Sequence, residues 1–240
     1  MLVIYREFAP PVRVASSVVC VWEQEPTQTR VQRVVPDGCV DLIWFAEREL
    51  IVAGADTGPR TVVLPALARS SGIRLRPGAA GAVLGMAASE VRDRNVAADL
   101  VWGTSDAAGL SEALAAATPR GRLRLLADAV QRRGAQPDEL VLAAARRLRA
   151  PDARVATVAM ELGVSERQLH RRTVAAVGYG PKVLARVARL RRLVAVREEE
   201  LGLRALRAGY ASQAHMNEEV RRLTGLTPVR FLEDAALTAA

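Results

Sequence analysis

Short apolar stretches broken by glycine and proline dominate the first third of the chain. Ser17–Glu23 is a run of valines with Cys20 and Trp22. Arg30–Val35 and Cys39–Phe45 flank Pro36-Asp37-Gly38, a turn signal that predicts a hairpin. In its second arm Val40, Leu42 and Trp44 share one face, and Cys39, Asp41, Ile43 and Phe45 the other. Further apolar runs at Leu50–Ala53, Thr61–Leu64, Ile73–Leu75 and Ala82–Leu84 predict more strands. So many short strands predict a β-rich domain, barrel-like or sandwich-like. The pattern then turns helical near Ser89–Arg94 and Ser105–Ala117.

Two amphipathic helices follow, over about Arg120–Arg133 and Asp138–Arg149. Leu123, Leu126, Ala127 and Val130 form the first stripe; Leu140, Val141, Ala144, Ala145 and Leu148 form the second. These stripes suit either packing within the chain or a homodimer contact.

One arrangement then occurs twice. Ala159 stands four residues before Gly163, with Ser165 just beyond; Ala205 stands four before Gly209, with Ser212 just beyond. Alanine lets two helices cross closely, glycine permits the turn between them, and serine caps the second helix. Each copy therefore predicts a helix-turn-helix. The first runs Val155–Leu162 and then Ser165–Val177, with Ser165 and Gln168 at capping-box spacing. Its core is expected to hold Val158, Ala159, Leu162, Val164, Leu169, Val174 and Val177, leaving Glu166, Arg167, Gln168, His170 and Arg171 outside. The second runs Leu203–Ala208 and then Ser212–Leu223. Leu203, Leu206, Tyr210, Met216, Val220 and Leu223 are its expected core, and its outer face is less basic. A helix from about Pro181 to Glu199 connects the units. About 20 residues give roughly 30 Å, close to the roughly 34 Å between major-groove segments on one side of DNA.

Charge sharpens this picture. The chain of 240 residues carries a net +8. Residues 1–117 hold 11 Arg against 13 acids; 118–150 hold 8 against 3; 151–240 hold 15 basic residues against 10 acids. The positive excess lies entirely in the C-terminal half, where the repeated units are, and a basic half attracts phosphates. These boundaries divide the expected α+β protein into a β-rich domain (1–117), a helical segment (118–150) and an all-α domain (151–240).

Other chemistry finds few candidates. The two histidines, His170 and His215, both fall in the helical half, which leaves the first domain without a histidine ligand or base. No metal, cofactor or enzymatic activity is expected, since phosphate loops, nucleophile elbows and HExxH are missing from the sequence. Cys20 and Cys39 are too few for a disulfide scaffold. Buried apolar roles suit them better than a thiol switch. Trp22, Trp44 and Trp102 either line an apolar pocket or pack a core. A leader or membrane-spanning pattern is not apparent, so a cytoplasmic protein without membrane contact is expected.

Residues from about Val155 to Leu232 resemble the DNA-binding module of the AraC/XylS family of transcriptional regulators. The resemblance rests on Glu161–Leu169, Gly178-Tyr179-Gly180-Pro181-Lys182, Ala208–Met216 and Arg222–Phe231. It implies two helix-turn-helix units joined by a long helix, with both second helices in the major groove of double-stranded DNA. By position it assigns base contacts to Arg167, His170 and Arg171, and to Gln213, Ala214, Asn217 and Glu218. His215 is either part of that face or a local helix contact. Thr173 and Val220 stand where the family usually has an aromatic residue, and Glu218 where it is commonly basic or neutral. Residues of about 5–105 resemble an uncharacterised domain often fused to this module, through Val35–Trp44 and Val52–Thr57. In such regulators the first domain usually senses a small-molecule effector, often in a cupin-type barrel. The alternatives are a constitutive binder whose first domain mediates assembly or contacts RNA polymerase, and an enzyme or carrier fused to a DNA-binding module.

Overall fold

The structure is a computed structural model that describes residues 3–134 and 136–238. Its strands are β1 (Val3–Phe8), β2 (Val18–Pro26), β3 (Arg30–Val34), β4 (Val40–Phe45), β5 (Glu49–Ala53), β6 (Arg60–Leu64), β7 (Ser70–Leu75) and β8 (Asn95–Ala97). Six of them form one antiparallel sheet in the order β1-β2-β7-β4-β5-β8, and β3 pairs with β6 in a separate ribbon. The alternation expected for β4 is present: Val40, Leu42 and Trp44 are buried and Asp41, Ile43 and Phe45 half-buried. Leu42 lies opposite Ile73 on one side and Val52 on the other, which places three apolar side chains across the sheet centre.

The expected hairpin does not form. β3 joins β6 and β4 joins β5 and β7, so Pro36-Asp37-Gly38 carries the chain between two sheets. Asp37 turns the backbone locally by accepting from the Cys39 N–H at 2.8 Å, and Gly38 takes φ +87. A turn signal fixes a local bend, but not which strands pair across it. Ala82–Leu84 is likewise not a strand, because it ends the helix Ala80–Leu84. Three apolar residues carry too little periodicity to separate the two states. β1 and β8, at the two sheet edges, had no sequence signal strong enough to place them.

The helices are α1 (Ala80–Leu84), α2 (Asp99–Trp102), α3 (Thr104–Ala116), α4 (Pro119–Arg132), α5 (Glu139–Arg147), α6 (Val155–Glu161), α7 (Glu166–Val177), α8 (Pro181–Ala195), α9 (Leu201–Arg207), α10 (Gln213–Thr224) and α11 (Pro228–Thr238). The stripes of α4 and α5 are buried within the chain, with Leu126, Ala127, Val141 and Ala144 fully enclosed. A single buried cluster runs from the sheet through α4 and α5 into α6, α7 and the first half of α8. A second gathers Leu190, Leu193, Ala205, Ala208, Tyr210, Met216, Val220, Leu223 and Phe231. Trp22 and Trp44 are core residues. Trp102 is half-buried, with the Arg133 guanidinium stacked 4.5 Å from its ring centre.

An ion cluster lies beside the inter-sheet turn. Arg74 of β7 meets Glu7 at 3.1 Å, Asp41 at 3.2 Å and Asp37 at 3.4 Å, and the Trp22 indole donates to Asp41 at 3.2 Å. Burial pushes the Cys20 thiol up to about 11 and the Cys39 thiol well above its ordinary range. Both stay protonated at neutral pH, which makes them poor nucleophiles.

Candidate nucleic-acid interface

The two helix-turn-helix units are built by the same local devices. In the first, the chain leaves α6 through Gly163 at φ +67, and the Val164 N–H donates back to the Ala159 carbonyl at 3.0 Å. In the second, Gly209 takes φ +90, and the Tyr210 N–H donates to Ala205 at 3.0 Å. Both alanines are buried, as a close helix crossing requires. Ser165 accepts from the Gln168 N–H at 3.2 Å while the Gln168 side chain accepts from the Ser165 N–H at 2.9 Å, a complete capping box. Ser212 accepts from the His215 N–H at 3.1 Å. There His215 Nδ1 reaches one residue past the cap, accepting from the Ala211 N–H at 3.2 Å.

What holds each second helix differs. On α7, Arg172 makes a two-pronged contact with Asp138 at 2.7 and 2.8 Å. Asp138 also caps α5 by accepting from the Val141 N–H at 3.1 Å. Burial works against the Asp138 charge, but the Arg172 and backbone hydrogen bonds outweigh it and hold the carboxyl below the usual range. Thr173 is fully buried and donates its hydroxyl to the Leu169 carbonyl at 2.7 Å. That satisfies a polar atom where the family's aromatic residue would stand. On α10, buried Glu219 meets Arg186 at 3.0 Å and Arg189 at 3.5 Å, both from α8. His215 Nε2 lies 3.6 Å from the same carboxylate.

The outward faces follow from these attachments. Arg167, His170 and Arg171 are exposed on α7; Gln213, Ala214 and Glu218 are exposed on α10, with Asn217 half-buried beside them. The His170 ring packs over the backbone of Gly180, where a Cβ would come within 2.6 Å of it. Residues 158–234 match the family model of a helix-turn-helix domain. Residues 6–97 match a domain of unknown function (DUF6597). No curated protein matches the chain. Among solved structures, ToxT from Vibrio cholerae O395 is similar at 12% identity, over 85% of this chain and 96% of that one, with a TM-score of 0.45. Wild-type ToxT from Vibrio cholerae strain SCE256 with unsaturated fatty acid bound is similar at 9% identity, over 90% and 95%, with a TM-score of 0.42.

Within the helix-turn-helix domain the structure corrects two expectations. Leu203 and Leu206 are 44% and 55% exposed. Ala205 of α9 and Ala208 just past its end turn inward instead, where their small side chains let the helix lie close to its neighbours. The connecting helix α8 ends at Ala195, after 15 residues. It is therefore about 22 Å long, short of the roughly 34 Å between groove segments. Glu198, Glu199 and Glu200 follow it, and carboxylates are unfavourable at the negative end of a helix. Sequence reasoning missed Arg172 and Glu219 as attachments. Glu219 could have been found, since it borders the Met216–Val220–Leu223 stripe and a carboxylate there needs a basic partner.

Proposed function

We propose that this chain is a sequence-specific DNA-binding transcription regulator in which α7 and α10 enter the major groove. One observation carries the proposal. Two capped helices, each fixed from behind by ion pairs, leave the family's base-contact positions facing solvent. Arg167 and Arg171 lie one turn apart and are suited to guanine, whose O6 and N7 accept from a guanidinium. Gln213 and Asn217 are suited to adenine. Glu218 can accept from cytosine N4. Exposed arginines around these faces supply the phosphate attraction. Selecting sites from random duplex DNA with the full chain tests the reading. Enrichment of one sequence with two contacted segments supports it, and recovery of unrelated sequences only would defeat it.

The sheet domain is proposed to respond to a small polar molecule. An open groove of about 410 Å³ lies where β1, β2 and β7 meet the start of α4, lined by Arg6, Glu23, Arg69, Ser71 and Arg120 among others. Its size suits a small ligand. A ligand that raises the melting temperature of the full chain and changes its DNA affinity supports sensing. The second reading, a purely structural sheet domain, is favoured by the direct packing of α1 on α7. A Cβ at Gly81 would come 2.4 Å from the Ala175 carbonyl oxygen.

A further inference from the structure

Besides the apolar packing of Met216, Val220 and Leu223, the second reading helix has polar anchors at two places. Midway, Glu219 meets Arg186 and Arg189 of α8. At the C-terminal end the hold comes from the sheet domain. Arg33 of β3 donates from Nη1 to the Thr224 carbonyl at 3.1 Å. Next to it Gly225 ends α10 at φ +70, and a Cβ there would stand 3.1 Å from Arg33 Nη1 and 3.5 Å from the Pro59 ring. Val35, just past β3, packs against the core of the second unit. Carbonyls in the last turn of a helix have no partner within it, and a cation there also meets the negative end of the dipole. Arg33 supplies both.

We propose that Arg33 is a positioning residue for DNA recognition, fixing the direction of the second reading helix relative to the first. The proposal rests on the DNA-reading function proposed above. The apolar packing of Met216, Val220 and Leu223 seats the helix, and two polar anchors spaced along it resist rotation about that seat. Glu219 and Thr224 are separated by about 7.5 Å of helical rise, enough to make two distinct anchors. The first unit is fixed to the same sheet domain. A Cβ at Gly178 would stand 3.2 Å from the Ala88 carbonyl oxygen, and Gly81 abuts Ala175. The sheet domain is thus a frame common to both units. α8 meets α10 midway, through Arg186 and Arg189 to Glu219, while the C-terminal end of α10 is met by Arg33. Arg33 acts at the opposite end of α10 from Gln213, so it sets geometry without touching a base.

The consequence is discrimination of half-site spacing. The experiment compares full-length wild type with Arg33→Ala, Arg33→Met and Arg33→Lys on a site selected by the wild type, and on the same site with one base pair inserted between its two contacted segments. That insertion moves one segment by about 3.4 Å and a tenth of a turn. The wild type is expected to lose affinity on insertion. In Arg33→Ala and Arg33→Met that loss should shrink by about threefold or more, the worth of one hydrogen bond, and Arg33→Lys should restore it. General destabilisation lowers both affinities and leaves their ratio alone, so an unchanged ratio in a folded variant overturns the proposal. Arg33→Met keeps the apolar stem and serves if Arg33→Ala does not fold. A second readout needs no DNA. Spin labels on cysteines introduced at Glu166 and Arg221 of the full chain should show a distance distribution that broadens in Arg33→Met. An unchanged width overturns the proposal even if the wild type selects no sequence, a result that would separately defeat the DNA-reading function.

Discussion

Arg171 and Asn217, proposed base contacts six and five residues past the capping serines Ser165 and Ser212, differ in what they would offer DNA. Arg171 is exposed and carries a charge on the more basic of the two faces; Asn217 is neutral, half-buried, and next to Glu218. Replacing Arg171 by Ala should weaken specific binding by about 1–3 kcal/mol, well beyond the effect of Asn217→Ala. Titrations at matched salt decide the ranking, and the reverse order would place the main contacts on α10. Asp56 is a separate case, in which burial controls a charge away from the reading faces. It is buried, and although Arg60 pairs with it at 3.1 Å, desolvation raises its carboxyl to about 6 from 3.8. The folded protein therefore holds this proton more tightly than the unfolded chain. Stability from this group is present below about pH 4 and is lost as pH rises to about 6. Asp56→Asn keeps an acceptor for Arg60 and removes the titration. It should match the wild type near pH 4 and exceed it by up to about 3 kcal/mol at pH 7. Melting curves of the two proteins that run parallel from pH 4 to 7 would refute the assignment.

Elements show where sequence information is local and where it is not. The helix-turn-helix turns were legible because their causes lie within a few residues: Gly163 and Gly209 at positive φ, Ser165 and Ser212 as caps. The pairing of β3 with β6 was not legible, since an intervening hairpin of β4 and β5 is inserted and the turn at Asp37 fits either arrangement. α1 was misread for a related reason. It packs on α7 through Gly81, a contact made across more than 90 residues of chain. Gly81→Ala should therefore cost about 1–3 kcal/mol, because the colliding atom is a backbone oxygen that cannot rotate away. Gly163→Ala meets open space but positive φ, and should cost about 1 kcal/mol. Asp138 combines two jobs between elements. Asp138→Ala removes the α5 cap and the anchor of α7 together, and should cost about 1–2 kcal/mol. Arg172→Ala removes only the half-exposed ion pair, and should cost less. Chemical denaturation of the four variants measures these costs, and a cost for Arg172→Ala equal to that of Asp138→Ala would show that the cap contributes little.

At the scale of the whole molecule, the domain boundary expected near residue 150 and the packing boundary do not coincide. Leu169, Ala176, Val177, Tyr179, Leu184 and Val187 belong to the DNA-binding region by sequence, yet they share one buried cluster with the sheet. Tyr179 is almost fully enclosed, and a Cβ at Gly38 of the inter-sheet turn would stand 3.5 Å from its hydroxyl. Arg191 of α8 donates to the Asp37 carbonyl at 3.3 Å, a second tie across the same boundary. The second unit is different, for its buried cluster is closed mainly by its own helices and the end of α8. A fragment beginning at Pro151 therefore exposes the back of the first unit but little of the second. Each large apolar side chain so exposed forfeits about 1.5–3 kcal/mol, and five of those six are Leu, Val or Tyr, enough to exceed the margin of a small domain. In that fragment the amides of α7 should lose most of their protection against hydrogen exchange, while those of α10 retain more. In the full chain α7 should exchange together with β4 and β7, at the rate of global unfolding. Equal protection of α7 in fragment and full chain would mean that the first unit stands without the sheet, and that the shared cluster is a contact between two independently stable bodies.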